Sequence, residues 1–317
     1  MIITILGGGS WGTALAVHLA KKNHQVRVWE FVEQQAKEMQ EQRVCKLLPE
    51  VKLPENIFIS SRMKEVFPSD LVLLVVPSEH AEKTVQQAKS YLNRQPIIIC
   101  SKGFAQETRL LTEAISEIIP NQLFCLYGPT HAEEVGKSLF SGIVLAGGEG
   151  KERIKAELES SDLKMDLSDD LVGVQVAAAL KNILAIFIGI LDGLKLGDNA
   201  KAYFIVKGME EIRHIGLAWG GKEETFHGLA GIGDIIVTCM SRHSRNRYVG
   251  EQLGKGRKLA EILAEMSMVA EGVNTIKSAM ILKERFKLEL PMITGLHQVL
   301  FENRDVRKLV GHNSKSE

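Results

Sequence analysis

The sequence predicts an α/β chain in two parts: an N-terminal parallel sheet wrapped by helices over residues 1–168, and an all-α half over residues 169–317. Three observations predict it. Short β-branched runs alternate with amphipathic stretches up to about residue 165, strand signals then stop, and everything after Ser168 reads as successive helices. A chain of 317 residues is also more natural as two domains than as one.

The strands, in order, are IITIL (2–6), QVRVW (25–29), LVLLVV (71–76), PIIIC (96–100), LFCLY (123–127) and GIVLA (142–146), with LKMDL (163–167) closing the domain. Runs so continuously apolar leave no face for water, which means a parallel sheet covered on both sides. Amphipathic stretches such as TALAVHLAKK, SEHAEKTVQQAKSYL and ETRLLTEAISEII supply the covering helices. In the second half, helices are expected at 170–191, 198–216, 222–230, 247–253, 257–265, 271–285 and 292–302, separated by glycines or turn residues. The terminal GHNSKSE is polar and expected to fray.

Composition narrows the partners. Lys plus Arg equals Asp plus Glu at 39 each, so the chain has no general attraction for nucleic acid or an anionic membrane. Cys45, Cys100, Cys125 and Cys239 are scattered and form no CxxC pair; free thiols in a reducing cytoplasm are expected. MIITILGGGSWG has no basic segment before its apolar run and reads as a strand entering a loop, not as a signal peptide. Residues 171–191 are apolar enough to suggest a membrane span, but Gln175, Lys181 and Asn182 interrupt them. A charge at mid-bilayer costs roughly 3 kcal/mol at least, so a helix buried in a protein core is expected.

The first strand ends in GGGSWG, which sets Gly7, Gly9 and Gly12 in G-x-G-x-x-G spacing ahead of a helix. Gly7 lets the turn tighten, Gly9 lets a pyrophosphate approach the backbone, and Gly12 lets helix and strand pack closely. Unpaired amides at the helix start then face the phosphates. This is a Rossmann-type dinucleotide site. Glu30 ends the second strand 18 residues after Gly12, placed to accept hydrogen bonds from an adenosine ribose and to repel the 2′-phosphate of NADP. NAD is therefore favoured over NADP, although Glu30 facing solvent, with Arg27 or Lys37 reaching round, is the open alternative. Phe31 either packs on adenine or belongs to the core.

Three more segments follow strands at the ligand-binding edge of such sheets: VVPSEH, CSKGF with Lys102, and YGPTHAEEV with Gly128 and Thr130. Lys102 is either a solvated loop lysine or a ligand group. His131 has no second histidine at i+2 or i+4, so no metal site is expected, and Glu133–Glu134 suits a helix start. In the second half, Asp234 follows a glycine-rich turn, and Arg242, Ser244, Arg245, Asn246 and Arg247 cluster behind it. Guanidinium beside amide and hydroxyl suits a phosphomonoester; a basic solvated turn is the plain alternative. Lys181 is either snorkelling to the surface or facing a ligand as an acid–base group.

At this point GGGSWGTALA, SKGF, GPTHAEE, AAALKNILAI, DGLKLGDNAKA, GLAGIGDIIVTC, SRNR and AEGVNT, in this order, resemble the NAD(P)-dependent glycerol-3-phosphate dehydrogenase family over nearly the whole chain. The resemblance implies a Rossmann domain followed by an α-helical domain like that of 6-phosphogluconate dehydrogenase. It implies interconversion of sn-glycerol 3-phosphate and dihydroxyacetone phosphate, supplying glycerophospholipid synthesis. It further implies that Lys181 exchanges the proton at the substrate oxygen, that Lys102 contacts substrate and coenzyme, and that Asp234 holds the lysine or the substrate hydroxyls. Gly128, Thr130 and Asn182 would touch substrate; Ser244, Arg245 and Asn246 would take its phosphate. Ser10, Trp11, Phe31, Ala132, Val269 and Glu271 would line the dinucleotide site, with Arg245 near it. The sequence WEF lacks the arginine near position 31 that suits NADP in many bacterial relatives, and Thr130 stands where serine is frequent. A homodimer is expected. A dehydrogenase of carboxylated hydroxyacids and a catalytically dead nucleotide-binding regulator are the rival readings.

Overall fold

The structure, a computed structural model, describes residues 1–241, 244–266 and 270–311. Arg242, Val269 and all but the first residue of the polar tail lie outside the described residues. The chain divides at Leu171/Val172, three residues beyond the boundary expected from composition, because the seventh strand runs to Ser168 and a short turn follows it.

Among its residues the first unit holds ten strands: β1 (Ile2–Leu6), β2 (Gln25–Trp29), β3 (Val44–Cys45), β4 (Leu48–Lys52), β5 (Ile57–Ser60), β6 (Leu71–Leu74), β7 (Ile97–Ile99), β8 (Leu123–Tyr127), β9 (Ser141–Ala146) and β10 (Leu163–Ser168). Eight form one sheet in the order β10-β9-β8-β7-β6-β1-β2-β5, and β3–β4 is a separate hairpin. Its helices are α1 (Ser10–Lys21), α2 (Glu33–Gln42), α3 (Ser78–Ala88), α4 (Leu111–Ser116), α5 (Ala132–Gly136) and α6 (Lys151–Leu158). The sequence reading omitted β3, β4 and β5. In β5, Ile57 and Ile59 face the core while Phe58 is exposed, the alternation of an edge strand rather than a doubly covered one.

The expectation of an all-parallel sheet needs correction: β9 pairs antiparallel with β8. Residues 128–140 between them hold only the five-residue α5, too little for the crossover helix a parallel return requires. β10 then follows β9 in parallel after α6. The five strands from β8 to β2 remain mutually parallel, and β5 joins them in the same sense. The chain leaves β1 for β2 on one side and returns to β6 on the other, so the switch point lies between β1 and β6.

The second unit is helical: α7 (Leu171–Gly193), α8 (Gly197–Ala218), α9 (Glu223–His227), α10 (Asp234–Met240), α11 (Arg245–Gly254), α12 (Leu259–Glu265), α13 (Glu271–Phe286) and α14 (Pro291–Phe301). α7 is long and apolar enough to cross a membrane by length and composition, and its most apolar 18-residue window is wholly buried within the protein. Two glycines on α7 and two on α11 let these helices touch backbone to backbone. A Cβ on Gly189 would lie 2.9 Å from the Arg247 carbonyl carbon, and one on Gly250 would lie 2.8 Å from that of Ile186. Gly193 and Gly254 repeat the contact one turn on, each with the other's Cα inside 3 Å of such an atom. Real Cβ contacts sit at 3.4–4 Å, so α11 can lie this close to α7 only while these positions lack side chains.

Candidate active site

In the first unit the site is built where β1 meets α1. Gly7 has φ +120°, donates its N–H to Trp29 O at 2.9 Å, and has no room for a Cβ, which would sit 2.9 Å from the Val75 carbonyl carbon. Gly12 presses on Gly7 itself. Gly9 is the opposite case: a Cβ there would meet no atom within 4 Å. The first turn of α1, with Ser10 and Trp11, carries no acidic residue and no side-chain cap, so its amides are available to an anion. The Trp11 indole N–H is buried with no hydrogen-bond partner among the described residues. Open space over a glycine and uncapped amides fit a bound dinucleotide.

Glu30 has a task that spacing alone did not reveal. Its Oε2 accepts from Gly8 N at 3.1 Å and its Oε1 from Val32 N at 3.0 Å, tying the end of β2 to the glycine loop. Phe31 is 67% exposed and meets Trp29 edge-on at 6.0 Å, so the core alternative for this ring is excluded. Beyond β7 and β8 the structure brings Lys102, Gly128 and Thr130 together. The Gly128 carbonyl accepts from Lys102 Nζ at 3.4 Å, from Thr130 N at 2.8 Å and from Thr130 Oγ1 at 3.2 Å. Tyr127 Oη donates to Ser101 O at 2.8 Å and knits the same two strand ends. Ala132 is the buried first residue of α5.

The second unit answers the question posed by Lys181. Lys181 does not snorkel: it is buried, and its Nζ is ion-paired with Oδ1 of Asp234, also buried. Asp234 opens α10 directly after a π-helical turn, Leu229–Gly233, which is the glycine-rich stretch read from the sequence. Thr238, one turn later, donates to Asp234 O at 2.6 Å and lies 3.5 Å from Oδ1. Asn182 donates to Glu271 Oε2 at 3.4 Å, and Asn246 Oδ1 accepts from Gly272 N at 3.0 Å at the start of α13. Ser244 caps α11 by accepting from Arg247 N at 3.3 Å.

The arginine cluster divides. Arg247 is committed to Asp192 on α7, through Nε at 2.8 Å and Nη2 at 2.6 Å, and Asp192 also meets Lys201 at 3.0 Å. Arg245 is exposed. Sequence reasoning missed Thr238, although its i+4 spacing from Asp234 was a usable signal. It also missed Asp192, whose partner is 55 residues away with no local trace. Among the described residues no group of three or more His, Cys, Asp or Glu is placed to hold a metal ion.

A glycine-cornered turn at the switch point of a doubly wound sheet, followed by a helical unit with a buried lysine–aspartate pair, defines a nicotinamide-dinucleotide-dependent oxidoreductase. Comparison with known proteins specifies which. Residues 2–152 match the model described as NAD-dependent glycerol-3-phosphate dehydrogenase N-terminus, and residues 170–311 match the corresponding C-terminus model. The chain belongs to the NAD-dependent glycerol-3-phosphate dehydrogenase family. It is 39% identical over 320 residues to glycerol-3-phosphate dehydrogenase [NAD(P)+] of Chlorobium phaeobacteroides (strain BS1), covering 98% of this chain and 96% of that one. The Fusobacterium nucleatum subsp. nucleatum protein of the same name is 37% identical over 317 residues, covering 97% and 95%. Among solved structures, glycerol-3-phosphate dehydrogenase from Coxiella burnetii superposes with a TM-score of 0.93 at 34% identity, covering 98% and 97% of the two chains.

Proposed function

We propose that this chain is a glycerol-3-phosphate dehydrogenase [NAD(P)+], which interconverts sn-glycerol 3-phosphate and dihydroxyacetone phosphate. The observation that carries the reading is the buried Lys181–Asp234 pair, in a chain whose two halves match the two family models in order. An ammonium this deep in a helical unit is costly unless a carboxylate compensates it, and a lysine kept there suits proton exchange with a ligand.

The bound nicotinamide supplies the hydride chemistry. The protein's own residues supply position and protons. Asp234 stabilises the ammonium of Lys181, so the pair is poised to give a proton to the ketone oxygen as dihydroxyacetone phosphate is reduced; in the reverse direction Lys181 takes the proton from the C2 hydroxyl. Thr238 donates to the Asp234 main-chain oxygen and so ties down the first turn of α10 that carries the carboxylate. Lys102, held at the Gly128 carbonyl beside Thr130, is the first unit's cation for a ligand oxygen. Exposed Arg245 takes the phosphate, since Arg247 is neutralised by Asp192 and Ser244 and Asn246 cap helices. Gly7, Gly9, Ser10, Trp11 and Gly12 hold the dinucleotide, with Glu30 favouring NAD.

Cytoplasmic location is part of this reading, supported by four buried free cysteines. So is a homodimer, supported by exposed Tyr203 and Val206 on α8 and by Ile236 and Met240 on α10. Supply of glycerol phosphate to phospholipid synthesis follows from the reaction's product.

The test is oxidation of NADH, and separately of NADPH, on adding dihydroxyacetone phosphate. Lys181→Met should lower kcat by about 10²- to 10⁴-fold. Arg245→Ala should raise KM for the phosphorylated substrate about tenfold or more. Full turnover without the Lys181 amine, or equal reaction of glycerol and glycerol 3-phosphate, overturns the assignment.

A further inference from the structure

Asp192 stands on α7 next to Gly193, one of the glycines that bring α11 close. Its carboxylate is divided between two other helices. Oδ2 accepts from Arg247 Nε at 2.8 Å and lies 2.6 Å from Nη2, both on α11, while Oδ1 meets Lys201 Nζ of α8 at 3.0 Å. The three side chains are only 16%, 21% and 17% exposed, so salt screens this cluster less than it would a surface pair.

Arg247 is held from three directions. Its guanidinium is on Asp192, its N–H donates to the Ser244 hydroxyl at 3.3 Å, and its carbonyl carbon would lie 2.9 Å from a Cβ on Gly189. Arg245 precedes it by two residues in the same first turn of α11. At about 100° per residue the two point about 160° apart, so pinning Arg247 to α7 turns Arg245 outward, and Arg245 is exposed. The electrostatics run the same way. That first turn carries two arginines and no acidic residue, although a helix start has partial positive charge and disfavours cations. Asp192 answers one arginine from outside the helix. One guanidinium and the positive helix end remain, a charge set suited to a phosphomonoester dianion.

We infer that Asp192 is a positioning residue for the phosphate end of the substrate: it withholds Arg247 and thereby fixes Arg245 as the guanidinium that meets the phosphate. The inference rests on the function proposed above. Asp192 lies eleven residues beyond Lys181 on α7, about 16 Å along the helix, so it acts on substrate capture and leaves proton exchange alone.

The experiment compares dihydroxyacetone phosphate with unphosphorylated dihydroxyacetone, each reduced by the full-length protein at saturating NADH. Asp192→Asn should raise KM for the phosphorylated substrate about five- to tenfold, with kcat within about twofold of the parent and kcat/KM for dihydroxyacetone unchanged. Arg247→Met, which leaves Asp192 its Lys201 partner, should do the same, and it carries the test by itself if the first variant does not fold. The double variant should be no worse than either single one, because the two residues act as a unit. A merely structural ion pair would lower the melting temperature of the variants and leave their preference for the phosphorylated substrate intact; that result overturns the inference alone, as do effects that multiply in the double variant. A parent protein with no preference for the phosphorylated substrate overturns the proposed function, and this inference with it.

Discussion

Gly250→Ala sets two well-known effects against each other at one position. In an exposed helix, alanine is favoured over glycine by about 1 kcal/mol, so propensity alone predicts that the variant is more stable. At this site the new methyl group would lie 2.8 Å from the Ile186 carbonyl carbon and 2.9 Å from the Ile190 nitrogen, where 3.4 Å is the near limit of ordinary contact. The Ile186 carbonyl oxygen lies closer still. Both neighbours are backbone of α7, so no side-chain rotation relieves the overlap, and α11 must retreat by about 0.6 Å or more from a packed helix. Overpacking of this kind costs about 1–3 kcal/mol, and a backbone clash belongs at the upper end. The net expectation is a loss of about 2 kcal/mol. For a 146-residue unit this lowers the melting temperature by about 4–8 °C. Circular dichroism at 222 nm checks it. Gly256→Ala is the control, where φ is +87° and a Cβ meets nothing within 4 Å; only the left-handed backbone penalty of about 1 kcal/mol applies. A Gly250→Ala protein that melts at or above the parent temperature would refute the close-approach account of α7 and α11.

Three further outcomes are expected. Glu211 accepts from Met292 N at 2.7 Å and Ile293 N at 3.0 Å, capping α14 from another helix, and Glu211→Ala should cost about 1–3 kcal/mol in urea unfolding. Burial raises its carboxyl pKa despite those two bonds, so its contribution to stability is fully present below the ordinary glutamate range and fades as pH rises through the folded value; Glu211→Gln should flatten that part of the stability–pH curve. All four thiols are buried, and the Cys239 thiol is pushed up to about 12 by burial, so a thiol-titrating dye at pH 8 should find no reactive cysteine until the protein unfolds. Prompt reaction of one equivalent in the native protein would contradict this placement.

The order of strands and helices was legible because it is written in local periodicity. The glycine turn was legible because each of its glycines answers a separate steric demand. β9 was placed correctly in the chain but not in direction, since an apolar run does not encode the sense of its neighbour. The short β5 hid behind alternation that continuous-run reading passes over. At the site, Lys181 and Asp234 stood out as charges in apolar surroundings; the family resemblance left Asp234 to hold either the lysine or the substrate hydroxyls, and the fold pairs it with the lysine across 53 residues. The same holds for the split between Arg245 and Arg247. Neighbours in sequence and alike in chemistry, they are separated by an aspartate on a different helix.

Glu30 carries a consequence for how this protein can be altered. Both of its oxygens already terminate backbone amides, one in the glycine turn and one at the residue that precedes α2. A residue installed there to change coenzyme preference inherits two stranded donors before it meets any ribose. The scaffold of the turn thus rests on a single side chain, and replacing it without rebuilding Gly8 and Val32 around it would leave the turn loosened.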